Sequence, residues 1–247
     1  MARVRLYVDQ PLGPGQPVPL ADAQAHYLFA VMRLEPGAGL YLFNGRDGEW
    51  RASLAPVGKR GLALAIEAPT RPQIGGPDIH YVFAPLKRAR LDYMVQKATE
   101  MGVARLLPVL TRHTVAERVN TERMRANAIE AAEQCGILRV PEVAEPVKLA
   151  TALAGWDPQR RLIFCDERAA IADPLAVLTR VAAGPLAVLI GPEGGFANEE
   201  RAILAAKPYV VALSLGPRIL RADTAVIAAL TLVNAVLGDW APALRQV

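Results

Sequence analysis

The sequence predicts an α/β domain with a mostly parallel sheet, residues 73–247, preceded by a smaller β-rich domain, residues 1–72. Three observations carry this. The first third of the chain alternates charged with apolar residues around Asn-Gly turn signals, the pattern of half-exposed strands. The remainder places short apolar runs between helical stretches, the texture of strands covered on both faces. Between them, residues 68–77 (APTRPQIGGP) concentrate three Pro and two Gly, the composition of a linker.

Residues 3–8 open with a period-2 run, Arg3, Val4, Arg5, Leu6, that reads as a strand. Residues 20–34 place Ala25, Leu28, Phe29 and Met32 at helical spacing, and Glu35-Pro36-Gly37 stops that helix. Strands are expected at 40–43 and 49–54, joined through Asn44-Gly45-Arg46-Asp47-Gly48, and again at 62–66. In the second domain a strand at 79–83 precedes a helix at 89–101 ended by Gly102. A strand at 106–110 precedes a helix at 121–134, with Asn120 or Thr121 able to cap its free N–H groups. The runs 162–165, 186–190 and 210–213 are strands apolar enough to be buried on both faces.

With 52% hydrophobic and 21% charged residues in a chain of 247, the composition excludes disorder, collagen-like repeats and small disulfide scaffolds. The most apolar stretch, 222–237, carries Asp223, Thr224, Thr231 and Asn234, so no membrane span is expected. Residues 1–10 lack the apolar segment of a secretory signal, and the protein is expected in the cytoplasm. Cys135 and Cys165 have no CxxC spacing, and His26, His80 and His113 have no ligand spacing, so neither a disulfide framework nor a metal site is expected. The net charge is a mild +4, yet 23 of the 28 cations are Arg, the side chain suited to forked phosphate contacts. Base composition of the genome is the competing source of that bias, and position has to decide. Residues 87–139 hold ten cations against six acids, an electrostatic footprint for phosphates or a solvated face.

Ligands of parallel α/β sheets gather at the carboxyl ends of the strands. Two loops there are unusual. Gly191-Pro192-Glu193-Gly194-Gly195-Phe196 holds three glycines in five residues, which lets backbone pass close to a ligand or simply makes a tight turn. It lacks the Lys-Ser or Lys-Thr of a phosphate loop and the GxGxxG spacing of a dinucleotide fingerprint. Glu199 and Glu200 already complement the following helix dipole, which favours an uncharged or cationic ligand over an anion. The second loop, residues 215–221, sets Arg218 and Arg221 around Ile219 and Leu220, so apolar contacts and guanidinium donors are presented together. That suits a nucleoside-like ligand beside a nucleic acid; pairing with surface carboxylates is the alternative.

Read together, residues 189–196 and 213–225 resemble the signature of the RsmE-type uracil-N3 methyltransferases of small-subunit ribosomal RNA, within the SPOUT superfamily. Residues 96–103 and 130–136, together with 26–33 and 43–45, resemble further segments of that family, so the resemblance covers essentially the whole chain. It implies a PUA-like N-terminal β-barrel that contacts RNA and a C-terminal α/β domain tied in a trefoil knot. It further implies a homodimer, S-adenosylmethionine as methyl donor, and ribosomal small-subunit RNA or the assembled small subunit as substrate. Ile190, Gly191, Gly194, Gly195, Leu215, Gly216, Ile219 and Leu220 are then the donor-binding residues. Arg5, Arg33, Lys87, Arg88, Arg139 and Arg218 are the RNA contacts. For the chemistry, Arg221 is the candidate to stabilise a uracil anion, because an arginine stays protonated and is a poor base. Asp223 or Glu193 would accept the N3 proton, and the sequence does not choose between them. Two departures stand out: Asp223 where relatives usually have Glu, and Ile137 where they have Arg. A non-catalytic RNA-binding assembly factor, or a related methyltransferase of transfer RNA, would share these features.

Overall fold

The computed structural model describes residues 4–15, 17–57, 61–116 and 118–240, so Arg3, where the first strand was expected to start, lies outside the described residues. The chain gathers into two compact units. One takes the residues up to Gly75 together with Ala132–Val140; the other takes Gly76–Ala131 and the remainder from Pro141.

In the first unit β1 (Arg5–Tyr7), β2 (Pro17–Pro19), β3 (Gly39–Phe43), β4 (Glu49–Val57) and β5 (Gly61–Arg71) form one curled sheet in the order β1-β3-β4-β5-β2. β1 runs parallel to β3 and the other pairs are antiparallel. Leu6, Val18, Leu28, Leu40, Leu42, Leu54 and Leu64 point inward to one core, where each buried leucine contributes about 2 kcal/mol. The turn after β3 follows from Asn44, whose buried Oδ1 accepts from the N–H groups of Arg46 and Asp47 while its Nδ2 donates to the Gln10 carbonyl. The Leu12 N–H and the Asn44 amide on the Asp47 carboxylate hold it below the usual carboxylate range.

Several expectations for this unit need correction. The helix expected over 20–34 is shorter: α1 (Asp22–His26) passes into a π-helical turn, Tyr27–Val31, in which the Met32 N–H bonds to the Tyr27 carbonyl. Arg33 then takes a left-handed φ of 54°, and the Leu34 N–H returns to the Leu28 carbonyl. β5 continues to Arg71, into the stretch read as linker, because Thr70 and Arg71 stay paired with Glu49 across β4. β2 had no expectation behind it; a strand flanked by two prolines fits the sheet edge it occupies.

The largest correction is Arg5. Alternation placed it on a solvent face as an RNA contact, yet its side chain is 8% exposed. Its Nε donates to Glu49 (2.9 Å), its other nitrogens donate to the carbonyls of Ala132, Glu133 and Ile137, and its guanidinium lies over the Phe43 ring at 4.5 Å. Phe43, Ala132 and Leu138 form a small core beneath it. Arg5 is therefore a structural cation that fastens residues 132–140 to the sheet.

The second unit is built on parallel pairs throughout. β6 (Ile79–Phe83), β7 (Arg105–Leu110), β8 (Glu142–Val143), β9 (Val147–Lys148), β10 (Arg161–Cys165), β11 (Leu186–Ile190) and β12 (Val210–Leu213) give the order β12-β10-β11-β6-β7-β8, with β9 also on β7. The short β8 and β9 and the helix α4 (Leu149–Ala154) had no expectation behind them, whereas α5 (Pro174–Leu178) is the helical stretch expected after the run 162–165. α2 (Arg88–Glu100) and α3 (Thr121–Cys135) fall where periodicity put them, and the Asn120 side chain accepts from the Arg123 N–H as a cap. One sheet face packs Val82, Leu162, Phe164, Ala187 and Leu189 against Leu149, Leu153 and Leu204, the last from α6 (Asn198–Ala205). The last helix, α7 (Ala222–Val236), packs against α2, α5 and β11. Its buried Asn234 donates to the Met101 carbonyl at the end of α2.

Arg5→Ala leaves the buried Glu49, among the described residues, with Arg71 and Thr70 as partners, and should destabilise the protein by about 3 kcal/mol in urea denaturation. A loss under about 1 kcal/mol would mean that Arg5 is a surface cation after all.

Candidate functional site

Since β10, β11 and β12 are adjacent and parallel, the loops leaving their carboxyl ends converge. They enclose a cavity of about 600 Å3. Its apolar wall is Ile190, Leu213, Leu215 and Leu220, continued by Gly191, Pro192, Gly194, Gly195 and Gly216. All eight residues assigned to donor binding line it. So do Arg221, Glu193 and Arg218.

The glycines of the 191–196 loop are crowded by other parts of the protein. A Cβ on Gly191 would stand 2.5 Å from the Phe196 ring, and one on Gly195 would stand 2.6 Å from Glu167 Oε1. At Gly194 the neighbour is His113, whose Nδ1 lies 3.0 Å from the Gly194 carbonyl and 3.2 Å from that of Gly195. The space a side chain would need is thus taken by the protein itself, and Gly195 must also hold a φ of +66°. Phe196 is buried edge-on to Phe164, their centroids 4.9 Å apart.

One loop escaped notice. The segment after β10 brings Cys165, Asp166, Glu167 and Ile171 to the cavity, although its signal, a charged Asp-Glu-Arg run straight after an apolar strand, was present. Asp166 and Glu167 pair with Arg201 of α6, which also donates to the Phe196 carbonyl. Burial works against the Arg201 charge, but the carboxylates of Asp166 and Glu167 outweigh it and raise the guanidinium above its ordinary range. Burial pushes the Cys165 thiol up to about 12.

The candidate catalytic residues separate. Glu193 is ion-paired with Arg90 of α2, another cavity residue that sequence reading had left in the general basic region. Arg221, the N-cap position of α7, is exposed and makes no side-chain hydrogen bond or ion pair among the described residues; the same holds for Arg218. Asp223 lies outside the cavity wall, on the first turn of α7. With Cys165 it adds to the effect of burial in raising the Tyr81 hydroxyl, which is fully buried and has no partner among the described residues. Ile219, assigned as an adenine wall, is 88% exposed at the rim with Ile171 at 71%.

The RNA-contact candidates are scattered. Lys87 and Arg88 are exposed at the start of α2, and Arg88 adds to the lowering of Asp92, which comes first from the Arg123 hydrogen bond. Arg33 is exposed in the first unit, while Arg139 donates to the Gly75 carbonyl. Among the described residues no three His, Cys, Asp or Glu gather as a metal site, and no helix is long and apolar enough to cross a membrane.

Known proteins agree with this layout. Residues 75–234 match the family model of an RNA methyltransferase domain, and residues 20–67 that of an RNA methyltransferase PUA domain. The ribosomal RNA small subunit methyltransferase E of Rickettsia conorii is 30% identical over 93% of this chain and 94% of its own length. That of Synechocystis is 32% identical over 89% and 73%. Among solved structures, a Legionella pneumophila protein in complex with its cofactor SAM superposes with a TM-score of 0.84 at 30% identity, over 97% of this chain and all of the other. The methyltransferase E of Neisseria gonorrhoeae bound to S-adenosylmethionine gives 0.86 at 25% identity, over 97% and 100%.

At pH 8 a thiol with a pKa near 12 is ionised in about one molecule in ten thousand. Iodoacetamide should therefore alkylate the exposed Cys135 well before Cys165, read by peptide mass spectrometry. Equal rates would place the Cys165 thiol outside the buried wall.

Proposed function

Because the chain belongs to the ribosomal RNA small subunit methyltransferase E family, we propose that it methylates N3 of a uridine in 16S ribosomal RNA, with S-adenosylmethionine as donor. The observation that carries this is the convergence of the 191–196 and 215–221 loops on one cavity lined by two guanidinium groups that have no side-chain partner among the described residues. When bound, S-adenosylmethionine supplies a methyl group on a positively charged sulfur. The residues present fit it: about 600 Å3 is in the range of small-molecule sites, one wall is apolar, and another carries Asp166 and Glu167. Cationic character in the ligand matches those carboxylates, whereas an anion would meet them as like charges.

Uracil N3 carries a proton and lies on the pairing edge, so the base has to be unpaired and turned into the site. Loss of that proton to water at the open rim of the cavity leaves negative charge on the ring. Arg221 is the residue we assign to stabilise it: it lines the cavity, it is permanently charged, and no protein carboxylate competes for it among the described residues. Glu193 is already engaged by Arg90 in an ion pair, so we do not assign it the N3 proton. Arg218 reads best as a phosphate contact, with Arg33, Lys87 and Arg88 as further cations for the backbone. Residues 1–72 supply the RNA-binding domain and residues 73–247 the catalytic one, working as a cytoplasmic homodimer on the ribosomal RNA or the assembled small subunit. Family structure, a PUA model over residues 20–67 and the curled sheet support the first assignment.

Labelled donor incubated with assembled small subunits, naked ribosomal RNA and transfer RNA, followed by digestion to nucleosides, should give 3-methyluridine from the small subunit or its RNA. Label in transfer RNA alone would overturn the substrate. S-adenosylhomocysteine should raise the melting temperature, as any ligand of the native state does, and no shift at saturation would favour a non-catalytic RNA-binding role. Arg221→Ala should lower kcat about a hundredfold with both substrates saturating, while a wild-type rate would remove Arg221 from the chemistry.

A further inference from the structure

The loop of residues 191–196 contains three glycines, and glycine has the most conformational freedom to lose on ordering. A site with defined shape therefore needs that loop fastened from outside. One fastening is Phe196, whose ring packs on Phe164 and closes over Gly191. The other is Arg201, whose side chain is 12% exposed although it stands in a helix after two glutamates. Its Nε lies 3.0 Å from Asp166 Oδ1, another nitrogen pairs with Glu167, and a third donates to the Phe196 carbonyl. One planar group thus joins the loop after β10 to the loop after β11. Glu167 in turn lies against Gly195, where a Cβ would strike it.

We infer that Arg201 is a positioning residue for the methyl donor: it fixes the carboxylate wall against the glycine loop and so sets the width of the donor pocket. This rests on the function proposed above. Without the guanidinium, Asp166 and Glu167 are adjacent carboxylates with no shared cation, and their repulsion moves the wall away from Gly195. The guanidinium groups on the open side, Arg218 and Arg221, sit on another loop and are untouched. Donor binding should suffer and RNA binding should not. A lysine at this position supplies the charge but cannot fork to three acceptors, so it restores the wall only in part.

Steady-state kinetics of Arg201→Ala and Arg201→Lys, with S-adenosylhomocysteine titrated calorimetrically into each, tests this. The Ala variant should raise the donor KM about tenfold or more, keep the RNA KM within twofold and keep kcat within twofold at saturating donor, with the Lys variant between it and wild type. Equal loss in donor and RNA KM, or a fall in kcat matching the loss of folded protein in a thermal melt, would reduce Arg201 to a stabilising residue and overturn the inference. If the Ala variant does not fold, the Lys variant alone decides by the same KM split. Wild-type protein that gives no binding heat overturns the methyltransferase reading together with the inference; wild type that binds while both variants match it within twofold overturns the inference alone.

Discussion

Strand β11 lies between β6 and β10 and pairs in parallel with both, although the chain forms β7, β8 and β9 in between. All five of its residues are buried, which is the condition for a central strand of a sheet covered on both faces. β10 leaves the place that β11 fills, and β12 then adds beyond β10. This ordering is what puts three consecutive carboxyl-end loops side by side. The cavity, its apolar wall and its acidic wall follow from it. At the opposite end of the same strands Arg160 fixes the register, donating to the Asp78 carboxylate and to the carbonyls of Asp78 and Leu186.

Two groups stand out within the arginine excess of the sequence. Arg5, Arg160 and Arg201 are largely buried and spend their donors on carboxylates and carbonyls of their own unit. Each joins segments far apart in sequence, a task suited to a planar group with five donors. Arg33, Arg88, Arg218 and Arg221 are exposed. Net charge therefore misstates what RNA would meet, because the internal cations are cancelled where they stand. The cavity is polarised, with Asp166 and Glu167 on the β10 side and, on the β12 side, guanidinium groups that are unpaired among the described residues.

What was legible in the sequence, and what was not, divides along physical lines. Leu186–Ile190 and the two flanking apolar runs could be read because a strand buried on both faces needs no partner to announce it. The resemblance of residues 189–196 and 213–225 located the cavity walls. Arg5 could not be read, since alternation assigns a charged residue to the wet face and says nothing of a carboxylate across the sheet and carbonyls 127 or more residues away. Arg201 was hidden for the same reason, beside Glu199 and Glu200 in a helix that looks solvated. The glycines were read as places where backbone passes close to a ligand or turns tightly, and sequence could not say that Phe196, His113 and Glu167 pack against them. Pro17–Pro19 had no expectation behind it, although an edge strand tolerates prolines that a central strand would not.

The crossing of α7 carries a consequence for biosynthesis. α7 packs on α2 and is pinned by Asn234 to the carbonyl of Met101, a contact 133 residues long, and Arg221 stands at its first cap. Contacts of such separation are the slowest to form. During translation the sheet from β6 to β11 can assemble while α7 is still inside the ribosome, but the wall formed by residues 213–222 cannot. The cavity is therefore completed last, when α7 docks on α2 and brings Arg221 to its place.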